Sequence, residues 1–90
     1  MRFEWDPAKA RKNFLKHGVT LEEASSVFYD VLALTGIDPG HSNGEERMIT
    51  FGMSSKARLL VVAHTERGNA IRIISARSTT PIERQIYEED

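Results

Sequence analysis

The chain has 90 residues, of which 40% are hydrophobic and 28% are charged, and it contains no cysteine. This length predicts one domain over residues 1–90, with the composition of a soluble globular protein rather than a disordered one. The lack of cysteine excludes disulfides and thiolate metal sites and fits a cytoplasmic location. The net charge of −1 gives no overall case for nucleic-acid binding, and no apolar segment is long enough to span a membrane.

The N-terminal part predicts a short strand and a basic helix. Residues 2–5 suit a strand, because their aromatic side chains are one strand period apart. Asp6 followed by proline is a strong helix start, and Gly18 suits a left-handed C-cap. A first helix is therefore expected over residues 7–17.

The rest of the chain predicts two more helices and four strands. T-L-E-E at 20–23 is a capping box that begins a helix ending near residue 29, and T-P-I-E at 80–83 begins a C-terminal helix in the same way. Apolar runs predict strands over 31–37, 45–53, 59–63 and 71–74, with an exposed loop over 38–44. The order predicts an α+β fold with a mainly antiparallel sheet of four to five strands, packed against helices and partly open on its other face.

The hairpin over residues 58–77 decides where its polar side chains point. A two-residue turn at Gly68-Asn69 predicts three opposed pairs: His64 with Ile73, Val62 with Ser75, and Leu60 with Arg77. His64, Ser75 and Arg77 would then share one face. A three-residue loop would shift the register by one and move Arg77 to the opposite face. The turn chemistry favours the first register.

Seven motifs follow one another along nearly the whole chain. They are F-E-W-D-P-A-K-A (3–10), N-F-L-K-H-G-V (13–19), G-E-E-R (44–47), R-L-L-V-V (58–62), T-E-R-G (65–68), I-R-I-I-S-A-R (71–77) and E-R-x-x-Y-E (83–88). In this order they resemble the BrnT family of type II toxins. The resemblance implies a RelE-like fold and an endoribonuclease that cleaves RNA without a metal or other cofactor and blocks translation. It also implies neutralisation by a BrnA-type antitoxin, in a toxin–antitoxin hetero-oligomer.

Three residues are candidates for catalysis: Arg77, His64 and Glu66. Metal-independent RNA cleavage needs a base, an acid and a cation for the charge that develops on the phosphate. Arg77 resembles the phosphate-binding arginine of RelE-like toxins, and its planar fork suits phosphate; the alternative is a surface ion pair with Glu83 or Glu66. His64 suits acid–base chemistry because its ordinary pKa is near neutral, but it is equally a plausible sheet residue. Glu66 is either a group that orients His64 or a solvated charge.

Six more basic residues are candidates for RNA binding: Lys9, Lys12, Lys16, His17, Arg72 and Arg84. The lysines fall on one face of the first helix, where clustered charge binds phosphates whatever the base sequence, although any solvated helix shows such a face. His17 could instead serve the helix dipole, and the two arginines could be structural. His41 lies near Asp38, but no spacing in the chain supplies a metal site, so no metal is expected.

Four aromatic residues are expected in the core rather than in base stacking: Trp5, Phe14, Phe28 and Phe51. An exposed apolar patch near the first strand or second helix is expected for antitoxin binding. The chief alternative to a ribonuclease is a non-catalytic module that holds RNA or a protein on the same sheet face. Such a module needs no proton-transfer group beside Arg77. A third possibility is that the site residues serve only the antitoxin interface.

Overall fold

The computed structural model describes residues 1–38, 40 and 46–89. In chain order its elements are β1 (Arg2–Glu4), α1 (Pro7–His17), α2 (Leu21–Ser25), the 3₁₀ helix η1 (Ser26–Tyr29), β2 (Leu34–Ile37), β3 (Met48–Met53), β4 (Leu59–Arg67), β5 (Ala70–Ser78) and α3 (Pro81–Glu89). The predicted α+β class and the predicted order of elements are confirmed. No helix among these residues is long and apolar enough to cross a membrane.

The five strands form one mixed sheet in the order β1-β5-β4-β3-β2. β1 runs parallel to β5, while the other neighbouring pairs are antiparallel. The mainly antiparallel sheet follows from the short connections between β2, β3, β4 and β5. β1 reaches the far edge because α1 and α2 separate it from the other strands in sequence.

Two strands are shorter than their apolar runs predict. Val31 and Leu32 lie in a turn rather than in β2, because the Asp30 carboxylate accepts a hydrogen bond of 2.9 Å from the Leu32 backbone N–H. β3 begins at Met48. Most of the predicted loop over 38–44, together with His41, lies outside the described residues.

The predicted helix caps are confirmed. The Ala8 N–H donates to Asp6 Oδ1 at 2.8 Å, and Gly18 takes the left-handed conformation with φ of +70°. The Glu23 N–H donates to Thr20 Oγ1 at 3.0 Å. The Glu23 carboxylate does not return to the cap, because it is bound to Arg58 immediately before β4, so the capping box predicted over 20–23 is only half formed.

The Glu23 carboxylate is the centre of a buried polar cluster. It accepts hydrogen bonds from Arg58 Nε at 2.9 Å, from Arg58 Nη2, and from Ser54 Oγ at 2.7 Å. Arg58 Nη2 also donates to the Gly18 carbonyl at 3.1 Å. The Arg58 hydrogen bond lowers the pKa of Glu23 although burial opposes this, so the carboxylate stays ionised and fixes α2 to the sheet.

The core lies on the side of the sheet that α1, α2 and η1 cover, called here the helical side. Its buried members are Val19, Leu21, Ala24, Val27, Leu60, Val62, Ile73 and Ala76. Trp5 and Phe28 pack against this cluster, as predicted. Gly52 lets η1 approach, since a Cβ there would lie 3.0 Å from the Val27 Cβ. The opposite side of the sheet is called the open side.

The prediction that Phe14 belongs to the core is wrong. Its side chain is 52% exposed. α1 faces the sheet through Ala10 and the buried Asn13, and a helix turns by about 100° per residue. Phe14 therefore points sideways from the covered face. Phe51 lies on the open side, where it lines a hollow beside α3.

Asn13 takes the place of a strand neighbour for β5. The last pair between β1 and β5 joins Glu4 to Arg72, so the edge of β5 is unpaired beyond it. At Ala76 the Asn13 amide accepts from the backbone N–H at 3.0 Å and donates to the carbonyl at 2.9 Å. It also donates to the Val19 carbonyl at 2.9 Å. This side chain joins α1 to β5 immediately before Arg77.

α3 packs loosely on the open side. Its capping box is complete, because the Thr80 N–H donates to Glu83 Oε1 at 2.8 Å and the Glu83 N–H donates to Thr80 Oγ1 at 3.2 Å. Ile86 lines the hollow beside Phe51. Near the helix end, the Tyr87 hydroxyl donates to Asp30 Oδ2 at 2.6 Å. No described residue of α3 is fully buried, so a few contacts hold the helix in place.

Replacement of Asn13 by alanine should lower the free energy of unfolding by about 2–4 kcal/mol, because it leaves the Ala76 N–H and the Val19 carbonyl without partners in a buried place. Urea unfolding followed by circular dichroism measures this. Lys12→Ala, an exposed change on the same helix, is the control and should change little. Equal midpoints for the two variants would contradict the role given to Asn13.

Candidate functional site

The β4–β5 hairpin contains a β-bulge that separates the predicted site residues. The two-residue turn at Gly68-Asn69 and the pair His64–Ile73 are confirmed. Between His64 and Ala63 the register shifts, and Ile74 has no partner in β4. Three pairs follow beyond the bulge: Ala63 with Ser75, Val62 with Ala76, and Val61 with Arg77. The predicted pairs Val62–Ser75 and Leu60–Arg77 are therefore wrong.

His64 and Arg77 consequently lie on opposite sides of the sheet. His64 opposes Ile73, a core residue, and so faces the helical side. Arg77 follows the core residue Ala76, so its side chain alternates to the open side. The prediction that both share one face with Ser75 is wrong. The reason is physical: one extra residue in a strand reverses the side of every residue beyond it.

His64 is buried in a polar relay that crosses three strands. The ring is 5% exposed, and Nε2 lies 2.7 Å from Thr50 Oγ1, which lies 2.8 Å from Thr35 Oγ1. The Phe28 ring stands edge-on at a centroid distance of 4.8 Å. Nδ1 has no hydrogen-bond partner among the described residues. Burial lowers the pKa of His64 to about 4, so the imidazole is neutral near pH 7.

Glu66 is exposed and lies on the same side of the sheet as His64, since it opposes Ile71, which packs on the core. It does not hold the imidazole, whose Nδ1 is unpartnered and whose Nε2 faces Thr50. The three residues predicted for catalysis are thus not brought together. Arg77 lies alone of the three on the open side.

Arg77 forms a two-pronged ion pair with Glu83 of α3. Nη1 donates to Oε1 at 2.8 Å and Nη2 donates to Oε2 at 2.9 Å, while Nη1 also reaches the Ser78 carbonyl at 3.2 Å. The Arg77 hydrogen bonds lower the pKa of Glu83 to about 2, and the Glu83 hydrogen bonds raise the pKa of Arg77. The ion pair considered as the alternative for Arg77 is therefore present. The arginine side chain is still 41% exposed, so solvent reaches it.

The open side of the sheet is rich in arginine. Along the described strands, alternation points four arginine side chains to this side: Arg2, Arg67, Arg72 and Arg77. Arg72 lies 3.8 Å from Glu4, a long contact between partly exposed groups that is worth little. Ser75 lies on the same side as Arg77. The open side therefore has the charge and hydroxyl groups that bind phosphates.

The other residues predicted for RNA binding lie on two helices. Lys9, Lys12 and Lys16 are all exposed on α1, and at about 100° per residue Lys9 and Lys16 lie on the same side of Asn13, about 40° and about 60° from it. The lysine face therefore borders the edge of β5 near Ala76. His17 is half-buried in the last turn of α1. Arg84 of α3 is exposed and lies 3.3 Å from Glu88.

Apolar side chains are exposed at and just after the end of η1. Tyr29, Val31 and Leu32 are all largely exposed, Val31 to 96%. A hollow of about 440 Å³ is lined by Val31, Leu32, Ala33, Leu34, Tyr87 and Glu88. A second hollow of about 310 Å³ shares Leu34 with it, lies between α3 and strands β2 and β3, and is lined by Leu34, Thr35, Gly36, Ile37, Ile49, Phe51 and Ile86. The apolar patch expected near the second helix is present.

Sequence reasoning missed three parts of this site. Asn13 begins the motif N-F-L-K-H-G-V, but its contact with β5 depends on where β1 ends. The Asp30–Tyr87 hydrogen bond joins residues 57 positions apart, which no local pattern reveals. The sequence predicts Glu83 only as part of a capping box and as one of two alternative ion-pair partners of Arg77. Few residues separate Arg77 from the capping box over 80–83, and this short separation in sequence is the signal that could have placed Glu83 in the site.

No group of three or more histidine, aspartate or glutamate side chains among the described residues is placed to hold a metal ion. The arrangement offers instead an exposed guanidinium, a carboxylate in contact with it, and a basic surface around both. An α+β domain of this size with such a surface has the chemistry of a protein that acts on RNA phosphates.

Comparison with known proteins identifies the family. A sequence profile for the family described as "Ribonuclease toxin, BrnT, of type II toxin-antitoxin system" matches residues 5–83. The chain belongs to this family of ribonuclease toxins. Its partners are accordingly a cognate antitoxin and an RNA substrate. None of the curated proteins compared with the sequence matches it.

One solved structure supports the fold. The 1.1 Å crystal structure of the ribonuclease toxin BrnT of Brucella abortus matches with a TM-score of 0.65 and 22% sequence identity. The match covers 89% of this chain and 97% of that chain. At this identity the likeness confirms the predicted fold class.

The buried His64 should make folding stability fall as the pH falls from about 6.5 to about 4. Its pKa in the folded protein, about 4, is below its ordinary value of 6.5, so the unfolded chain takes up the proton first. The loss across this window should reach about 3 kcal/mol.

Urea unfolding of the wild type and of His64→Gln, at several pH values, measures this effect. Glutamine can still bond to Thr50 but does not titrate, and carboxylates contribute equally to both proteins. Parallel pH profiles above pH 4 would show that the imidazole is not held neutral by burial.

Proposed function

We propose that this chain is a metal-independent endoribonuclease that cleaves RNA on the open side of its sheet, blocks translation in the cytoplasm and is neutralised by a BrnA-type antitoxin. The observation that carries the proposal is the geometry of Arg77. Its two outer nitrogens meet two carboxylate oxygens at 2.8 and 2.9 Å. Two oxygens of a phosphate suit the same fork, and the cation would stabilise the charge that develops during cleavage.

The RNA backbone is proposed to cross the open side from Arg72 to Arg77. Both arginines are on β5 and point to this side. The lysine face of α1 borders the same strand edge through the Asn13 contact with Ala76, so it extends the basic surface. His17 at the end of α1 and Arg84 on α3 are proposed as outer contacts. This path needs no particular base sequence, because it consists of contacts with phosphate.

His64 and Glu66 are not part of the proposed RNA path. Both face the helical side, and the imidazole is buried and neutral near pH 7. Their separation from Arg77 favours one other function: a module that holds RNA without cleaving it. The experiment below therefore follows RNA integrity separately from growth.

The antitoxin is proposed to cover the exposed apolar surface formed by Tyr29, Val31, Leu32 and the hollow beside Ile86. Neighbouring apolar side chains that are exposed to solvent mark protein interaction sites, and Tyr29, Val31 and Leu32 are largely exposed. α3 borders this surface and carries Glu83. A partner seated there would thus lie next to the Arg77 site, and the two chains would form a toxin–antitoxin hetero-oligomer.

Arg77→Ala should abolish toxicity without unfolding the protein, because it removes the cation from an exposed position. In cells that lack an antitoxin, we expect the wild type to arrest growth and break RNA, and the variant to do neither. Co-expression of a BrnA-type antitoxin should restore growth with the wild type. Cell counts and electrophoresis of total RNA give the two readouts.

Arg11→Ala is the matched control, since Arg11 is an exposed arginine on the face of α1 away from the lysines. It should keep full activity. Growth arrest by the wild type with intact RNA would favour the binding module. Cleavage of RNA by Arg77→Ala at the wild-type rate would exclude Arg77 from the reaction.

Loss of phosphate contacts should weaken RNA binding and reduce its dependence on salt. For single-stranded RNA each lost contact should lower the slope of log K against log salt concentration by about 0.7. We expect the slope to fall by the amount of about one contact for Arg72→Ala. For the triple change of Lys9, Lys12 and Lys16 to alanine, it should fall by the amount of up to three contacts.

Fluorescence anisotropy with a 2′-O-methyl oligonucleotide, which resists cleavage, measures these slopes. Arg11→Ala should match the wild type. An unchanged slope for Arg72→Ala would remove the open side from the RNA path, and an unchanged slope for the triple variant would remove α1.

A further inference from the structure

RNA cleavage on the open side needs a group that can accept a proton near Arg77, and the predicted group, His64, lies across the sheet. Among the described residues, the titratable side chain in contact with the Arg77 guanidinium is that of Glu83. Its other contact is with the Thr80 backbone N–H, which holds Oε1 at 2.8 Å. Glu83 is thus fixed by the first turn of α3 and directed at the proposed phosphate site.

We propose that Glu83 is the general base of the cleavage reaction, a role that rests on the proposed ribonuclease function. A phosphate that binds the fork of Arg77 must take the place of the Glu83 carboxylate. The displaced carboxylate remains tethered to α3 beside that phosphate. This position is suited to accept the proton of the neighbouring ribose 2′-hydroxyl.

The reaction then needs no reactant other than RNA and water. Glu83 takes the 2′-hydroxyl proton, the 2′ oxygen attacks the adjacent phosphorus, and the bond from phosphorus to the 5′ oxygen breaks with its electron pair on that oxygen. Protonated Glu83 gives up its proton through a water molecule to the 5′ oxygen. The products are a 2′,3′-cyclic phosphate and a 5′-hydroxyl, and the carboxylate is restored.

The charge state of Glu83 agrees with this role. In the free protein Arg77 holds the pKa of Glu83 at about 2, so the group is ionised and ready to accept a proton. When phosphate takes over the Arg77 hydrogen bonds, the largest cause of the lowered pKa is removed and a negative charge lies nearby. Both changes raise the pKa of Glu83 towards neutrality, where a general base works best.

The packing of α3 permits the small movement that this exchange requires. No described residue of the helix is fully buried, and its far end is held by the Tyr87 hydroxyl on Asp30. The helix can therefore shift at Glu83 while it stays attached at Tyr87. A tightly packed helix would keep the carboxylate on Arg77.

Glu83→Gln tests the proposal, because glutamine keeps the shape and can still accept the Thr80 hydrogen bond but takes no proton. Single-turnover cleavage of an RNA oligonucleotide should slow by about 100-fold or more. Binding of the 2′-O-methyl oligonucleotide should stay equal or become tighter, since the Arg77 fork is released. The rise of the cleavage rate with pH, expected for the wild type, should disappear.

Two further variants keep the test decisive. Glu89→Gln makes the same chemical change on an exposed residue of α3 and should cleave as the wild type does. Glu83→Asp keeps a carboxylate and should recover part of the lost rate. A purely structural role would lower thermal stability in Glu83→Gln without changing the shape of the pH profile.

The outcomes separate this proposal from the one on which it rests. Cleavage by Glu83→Gln that equals or exceeds the wild-type rate would overturn the role of Glu83, and a faster rate would show that the carboxylate only blocks Arg77. If Arg77→Ala is inactive in the same assay, the ribonuclease function still stands. If the wild type leaves RNA intact, the proposed function fails, and the role of Glu83 fails with it.

Discussion

The β-bulge at Ile74 is the constraint on which the rest of the site depends. If the ladder were regular, Ile74 would pair with Ala63, and Arg77 would oppose Leu60 and point into the core beneath the helices. With the bulge, the first part of β5 keeps Ile73 in the core, the second part keeps Ala76 there, and Arg77 emerges on the open side. Asn13 fixes the strand directly before Arg77, because its amide satisfies both backbone groups of Ala76. The bulge and this one side chain together set the direction of the guanidinium.

His64 and Arg77 lie in different electrostatic environments. On the helical side, burial keeps His64 neutral, and its hydrogen bond among the described residues is with the Thr50 hydroxyl. On the open side, Arg77 and Glu83 stay ionised in partial contact with water. Desolvation makes a buried charge costly, whereas a partly exposed pair keeps both charges and can exchange one partner for another. An ion pair at the edge of solvent is therefore suited to be replaced by a phosphate.

α3 connects the proposed RNA site with the apolar surface proposed to bind the antitoxin. Glu83 near its start contacts Arg77, while Ile86 and Tyr87 near its end border the apolar surface. The helix has few buried contacts and is held mainly by hydrogen bonds at its two ends. A protein that covers the apolar surface would restrict the same helix that the proposed reaction must move. On these proposals, binding of a partner and access to Arg77 are physically linked through α3.

The sequence by itself determined the helix caps at Asp6, Thr20 and Thr80 and the turn at Gly68-Asn69, because each depends on residues close together in the chain. It also determined the order of elements and the family, because both are read from the succession of motifs along the chain. Tertiary structure alone decided which residues form the site. The bulge leaves no local signal, yet it reverses the side on which every later residue lies. Phe14 failed as a core residue for a related reason, since helix rotation relative to the sheet depends on the distant Ala76. Which side of the sheet a residue faces, and which residues it contacts, depend on how the whole chain packs. Packing placed Glu83, rather than His64, beside Arg77.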